Sequence, residues 1–265
     1  MLQGKSALVT GSTRGIGAAI AAALAAEGCN VMLNGFGDSQ VIEAARQQLA
    51  DTYGVGVAYH GADLADDTEI DALTSATKEA FGAVDILVNN AVIRYFHSID
   101  DFPREQWRHA LAVNVTAPFV LTQNVLPNMK ARGWGRIINF SSVLGLAGRS
   151  GRADYVTSKT AMLGLTRATA AETATIEGIT CNAICPGSVL TPNTEIKIGE
   201  LAVEQGIFFE EAKLAYRTKR SQKLDFIAPE RVAKLVTFLC QESSFDITGA
   251  TIPIDQGRSA NWVEA

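Results

Sequence analysis

Residues 6–17 read Ser-Ala-Leu-Val-Thr-Gly-Ser-Thr-Arg-Gly-Ile-Gly. The run up to Thr10 is apolar without alternation, as expected of a strand buried on both faces. Glycines follow at 11, 15 and 17, and an Ala-rich stretch of high helix propensity begins there. Such glycines let the backbone bend sharply and approach a ligand closely, and the helix start offers free N–H groups and a positive dipole end to a pyrophosphate. A glycine turn alone is weak evidence, but here a strand precedes it and a helix follows. Gly11, Thr13, Arg14, Gly15, Ile16 and Gly17 are therefore candidate ligand contacts.

Working outward, strand-like and helix-like stretches alternate. Strands are expected at 6–10, 30–34, 55–60, 85–89, 136–141, 180–184 and 251–254. Helices are expected at 15–27, 38–52, 66–81, 103–132, 152–177 and 229–240, with Asp38 or Ser39 capping the second. Apolar strands alternating with helices imply α/β architecture: a doubly wound, seven-stranded parallel sheet with helices on both faces. Ligands of such sheets sit at the carboxyl ends of the strands. With no repeat or linker, residues 1–265 read as one domain. The segment 190–225 breaks the rhythm and carries Ile196, Leu201, Phe208 and Leu214 at helical spacing. It is expected to be a lid over the site, or else an oligomer contact.

Composition narrows the function. Hydrophobic residues make up 47% of the 265, which excludes a disordered chain. A net charge of −5 argues against a nucleic-acid partner. The start of the chain has no secretory pattern, and no apolar run is long enough for a membrane helix. The four cysteines and three histidines match no metal or redox spacing, so no metal is expected and a cytoplasmic location is.

Tyr155 and Lys159 are four apart in a helical stretch and so share a face. A phenol beside an ammonium can exchange protons, because the positive charge favours its ionised form. Ser142 could donate a hydrogen bond to an oxygen gaining negative charge. A Tyr–Lys pair alone could arise by chance; behind Ser142 and the glycine turn it carries more weight.

The G-x-x-x-G-x-G spacing at 11–17, Asn89-Asn90-Ala91, Ser142, Tyr155-x-x-x-Lys159 and Pro186-Gly187 with Thr191 together resemble the short-chain dehydrogenase/reductase family, over nearly the whole chain. The resemblance implies an NAD(P)-dependent oxidoreductase. Asn114, Ser142, Tyr155 and Lys159 would be catalytic, with Asn114 holding a water that relays protons from Lys159. Asp63 and Leu64 would lie against the adenine, Asn90 beside the turn, and Pro186, Gly187, Val189 and Thr191 at the nicotinamide. The family is usually tetrameric, so a homotetramer is implied, with contacts through 114–132 and 152–177. One departure is Val92, where the family has glycine; its side chain is expected to crowd the turn.

Coenzyme choice depends on the end of the second strand, where an acidic side chain bonds the ribose and a basic one the 2′-phosphate. The sequence there is Asn34-Gly35-Phe36-Gly37-Asp38, with Phe36 placed to pack beside the adenine. The lack of a basic residue favours NAD, while Arg14 leaves NADP open. Residues 31–38, Asp101-Phe102-Pro103, Arg136-Ile137-Ile138-Asn139 and 182–187 look like bacterial D-3-hydroxybutyrate dehydrogenases. Those enzymes hold a carboxylate with two glutamines, a histidine and a lysine, under two tryptophans. The matching positions here are Arg94, Leu144, Arg152 and Lys197, with Ser188 and approximately Arg258 in place of the tryptophans. The expectation is a secondary alcohol/ketone pair on an anionic hydroxy or keto acid other than 3-hydroxybutyrate. Alternatives are a reductase of uncharged ketones and a non-catalytic NAD(P) sensor on the same fold.

Overall fold

A computed structural model describes residues 2–218 and 226–260. The strands are β1 (Ser6–Val9), β2 (Asn30–Leu33), β3 (Val57–Tyr59), β4 (Ile86–Asn89), β5 (Gly135–Phe140), β6 (Ile179–Pro186) and β7 (Thr251–Ile254). They form one sheet in the order β3-β2-β1-β4-β5-β6-β7, and every neighbouring pair is parallel. All residues of β1, β4, β5 and β6 are buried, which explains their mostly apolar character.

The helices are α1 (Gly15–Ala26), α2 (Ser39–Tyr53), α3 (Asp67–Phe81), α4 (Arg104–Leu111), α5 (Ala117–Arg132), α6 (Ala153–Thr173), α7 (Pro192–Gln205), α8 (Phe209–Thr218) and α9 (Pro229–Cys240). One face of the sheet packs Ile20 and Leu24 of α1 with Val232 and Val236 of α9. The other packs Ile70 and Leu73 of α3 with Leu121 and Val125 of α5. The doubly wound parallel sheet read from the sequence is thus present. Its order reverses between β1 and β4, where the two halves leave a crevice at the carboxyl ends.

Capping follows local chemistry. Asp38 accepts from the backbone N–H groups of Gln40 and Val41 and starts α2, and Asp66 does the same for α3 through Thr68. Two expectations need correction. The helical pattern at 103–132 is interrupted by a π-helical turn at Ala112–Thr116, which separates α4 from α5. Periodicity cannot reveal one added residue per turn. The stretch 152–177 is helical only to Thr173. The segment 190–225 supplies α7 and α8, which pack around Ile198, Ala212 and Phe226; its portion 219–225 lies outside the described residues. No helix among the described residues is long and apolar enough to cross a membrane.

Candidate active site

A cavity of about 630 Å³ opens at the carboxyl ends of the strands. The glycine turn forms one wall. Gly11 and Gly15 have φ of 63° and 61°, the left-handed region that favours glycine. A Cβ at Gly17 would meet Gly11 O and Asn90 Nδ2, so the helix start packs directly on the turn. Asn90 fixes the turn from β4: its Nδ2 donates to Thr10 O at 2.9 Å and Gly11 O at 3.1 Å. The N-cap residue of α1, Arg14, makes no side-chain cap. The first N–H groups of α1 therefore lack a side-chain acceptor, and the cradle fits a pyrophosphate.

The other expected coenzyme contacts line the same cavity. Phe36, Asp63 and Leu64 come from the ends of β2 and β3, and Pro186, Gly187, Val189 and Thr191 from the end of β6. Phe36 is 65% exposed, an open aromatic face at the cavity edge. Asp63 accepts from Ala65 N at 2.9 Å through Oδ1. Sequence reasoning missed Asn34, which braces this end: buried, it donates to His60 O and Ala62 O, both at 3.1 Å. Its polar character at a strand end was the only signal of that role. Val92 does not crowd the turn as expected. It keeps a negative φ, since Gln256 is the only non-glycine with positive φ among the described residues, and its partly exposed side chain lines the cavity.

Ser142, Tyr155 and Lys159 line the same cavity. Ser142 ends the β5 segment and caps a short 3-10 turn; its Oγ accepts from Leu144 N at 3.1 Å, leaving its hydrogen for another acceptor. Lys159 is 3% exposed and donates to Phe140 O at 2.7 Å. Its Nζ lies 5.7 Å from the Tyr155 ring centroid. Burial pulls the ammonium down from about 10.5 to about 8; the Cys185 thiol opposes this and Arg94 adds to it. Asn114 approaches from the boundary of α4 and α5. It sits buried in the π-helical turn, and its amide bonds both backbone groups of Ile93, at 2.9 and 2.8 Å, and Ser158 Oγ at 3.3 Å. The side chain therefore fixes the loop after β4.

On the substrate side Arg94, Leu144, Arg152 and Ser188 line the cavity. Lys197, on α7, is not among the lining residues; its Nζ sits 4.9 Å from the ring of Phe96 in the loop after β4. Arg152 is the unusual group. It is 6% exposed, and its guanidinium lies 4.7 Å from the Tyr155 ring and 4.1 Å from that of Phe96. Its Nε and Nη2 are buried without a hydrogen-bond partner. Two further groups on this side escaped the sequence reading: Arg149, which also lines the cavity, and Asp154, which holds Tyr95 N at 2.8 Å. Arg149 stands three residues before Arg152 in a glycine-flanked loop, a spacing legible in the sequence.

A parallel sheet with a phosphate cradle at its switch point, beside a Ser–Tyr–Lys cluster, defines a dinucleotide-dependent oxidoreductase. The comparisons agree. The short chain dehydrogenase model matches residues 5–199, and the chain belongs to that family. It is 43% identical to a D-beta-hydroxybutyrate dehydrogenase of Cupriavidus necator, covering 99% of each chain. It is 40% identical to that of Rhizobium meliloti, over 97% of this chain and 99% of the other. In structure it is similar to an L-sorbose reductase of Gluconobacter frateurii complexed with NADPH and L-sorbose, with a TM-score of 0.93, 29% identity and 98% of each chain covered. The chain is thus an NAD(P)-dependent oxidoreductase.

The buried ammonium gives a stability test. Native Lys159 releases its proton near pH 8, whereas an unfolded lysine holds it to about 10.4. Between those values the unfolded state binds more protons, so this group's contribution to stability rises with pH. Denaturant titrations of wild type and Lys159→Met should show the difference moving in favour of wild type from about pH 8 to about pH 10. A flat difference would contradict the buried ammonium.

Proposed function

We propose that the chain interconverts a secondary alcohol and a ketone on an anionic hydroxy or keto acid other than 3-hydroxybutyrate, with NAD as coenzyme. The observation that carries this reading is Arg152: a guanidinium buried in the cavity, stacked on Tyr155, with two N–H groups unanswered. A buried charge without a partner is costly, and a carboxylate in the cavity would answer it with bidentate hydrogen bonds.

The bound coenzyme supplies or takes up hydride at the substrate carbon. Tyr155 moves the proton at the substrate oxygen, while Ser142 Oγ donates a hydrogen bond as that oxygen becomes negative. Lys159 and Arg152 set two positive charges against the phenol ring. Lys159 is itself held by Phe140 O, which fixes its distance from the ring. Arg152, positioned by Phe96, orients the substrate's acidic group.

The named relatives act on a hydroxy acid, which supports the substrate class. Ser188 opens the pocket where the resemblance implies a tryptophan, which supports a substrate bulkier than 3-hydroxybutyrate. NAD is supported by the adenosine end. Arg46, the first cation after β2, is engaged by Glu43 at 2.6 Å and by Val57 O at 2.8 Å. It is therefore not available for a 2′-phosphate.

Three measurements test this reading. Tyr155→Phe should lower kcat by about 10³-fold while coenzyme affinity is retained; retained turnover would overturn the mechanism. Keto acids should exceed their methyl esters in kcat/KM by about 10- to 100-fold in wild type but not in Arg152→Ala; equal values in wild type would refute the anionic class. NAD should exceed NADP in kcat/KM by about tenfold or more, and the reverse preference would refute the coenzyme assignment.

A further inference from the structure

Arg152 is not the only cation on the substrate side. Arg94, Arg149 and Arg258 line the same cavity, and none of the four arginines forms a salt bridge among the described residues. They arrive from three places: the loop after β4, the loop between β5 and α6, and the turn after β7. The last is held tightly against the end of β6. Gly187 N donates to Ile254 O at 2.9 Å, and a Cβ at Gly187 would lie 3.0 Å from Asp255 Cα. Arg258 therefore belongs to the wall formed by Pro186, Gly187 and Ser188.

No acid among the described residues forms an ion pair with these charges. Asp255 accepts from the backbone N–H groups of Gly257 and Ser259, at 2.9 and 2.6 Å. Asp154 holds Tyr95 N through Oδ2, keeps a buried Oδ1 without a hydrogen-bond partner, and makes no ion pair with Arg152 among the described residues. Among the described residues the one acid lining the cavity is Asp63, at the end of β3. The arginines also act on one another. Burial first, and then the like charges of Arg94 and Arg149, pull Arg152 down from its ordinary value, with Tyr155 and Asp154 opposing. Burial and Arg149 do the same to Arg258, with Asp255 opposing.

A carboxylate offers two oxygens with about four lone-pair sites, enough for two guanidinium groups. A substrate with a single negative charge would leave the exposed Arg149 and the half-buried Arg258 without a counter-charge in the cavity. We propose that the substrate is a dianion, whose first acidic group is held by Arg152 with Arg94 and whose second, a carboxylate or phosphate, is held by Arg149 and Arg258. This rests on the anionic hydroxy or keto acid reading above and extends it.

The test needs no turnover. Succinate, glutarate, adipate and 3-phosphonopropionate are titrated calorimetrically into the coenzyme-saturated protein, each beside its half-ester and its fully esterified form. For at least one compound the dianion should bind about 30-fold more tightly than its half-ester. In the double variant Arg149→Ala/Arg258→Ala that ratio should fall to about threefold or less. Arg231→Ala, an exposed change on α9 remote from the cavity, should leave it intact and so control for net charge. Tighter binding of 3-phosphonopropionate than succinate would mark the second group as phosphate-like, and the reverse as a carboxylate. Half-esters binding within about threefold of every dianion would overturn the proposal. The underlying reading fails separately, when half-esters bind no better than the fully esterified forms. Absence of binding by every charged form would overturn both.

Discussion

Helix α6 is tied to the end of β5 by polar contacts removed from water. Asn139 Nδ2 donates to Thr166 Oγ1 at 3.0 Å, Ser141 Oγ to Lys159 O at 2.6 Å, and Lys159 Nζ to Phe140 O at 2.7 Å. Each group left unmet in such a dry setting would cost about 1–3 kcal/mol, so sliding the helix by one residue is prohibitive. That register decides which side chains of α6 reach the cavity. Tyr155 lines it, Lys159 sits beneath Tyr155, and Arg152 immediately precedes the helix. Gly145 completes the arrangement. A Cβ there would meet Ser141 Oγ and Lys159 O, so the turn after Ser142 lies directly on the helix. Hydrogen bonds that look structural thereby set the geometry of the proposed chemistry.

The sequence made visible those features whose cause is local. Glycines 11, 15 and 17 announce a close backbone approach whatever surrounds them, and an i, i+4 pair shares a helix face by construction. Buried parallel strands are mostly apolar, so the sheet and its layers followed. What stayed hidden depends on distant contacts. The π-helical turn at Ala112–Thr116 leaves the apolar periodicity almost unchanged, yet it turns Asn114 toward Ile93. Lys197 occupied a position that the resemblance placed at the substrate, but α7 sets it above the exposed Phe96. Arg149 and Arg258 are 109 positions apart, and only the adjacency of β5, β6 and β7 brings their loops to one cavity.

The cavity is electrically uneven along its length. At the glycine turn the attraction for anions comes from backbone N–H groups and a helix dipole, partial charges that are stable without any counter-ion. On the substrate side it comes from full charges on guanidinium groups. Partial charges on a fixed backbone can wait for a ligand at little cost. Full charges repel one another, and a buried one such as Arg152 lacks solvation until something negative arrives. The two ends thus answer the same kind of ligand group with different energetic consequences for the unliganded protein.

That difference bears on why such an arrangement persists. Replacing a buried charged group with a well-packed apolar one is often neutral or stabilising. Leucine at 144, close by in the same wall, shows that the fold tolerates an apolar side chain there. Stability alone therefore gives no reason to keep Arg152 buried, with its Nε and Nη2 unsatisfied, stacked between Phe96 and Tyr155. The stacking lessens the penalty, since aromatic faces attract a desolvated cation, but it leaves the N–H edge bare. A guanidinium held by its faces and unanswered at its edge is prepared for a planar acceptor such as a carboxylate, and much of the ordering cost of binding is met before the ligand arrives.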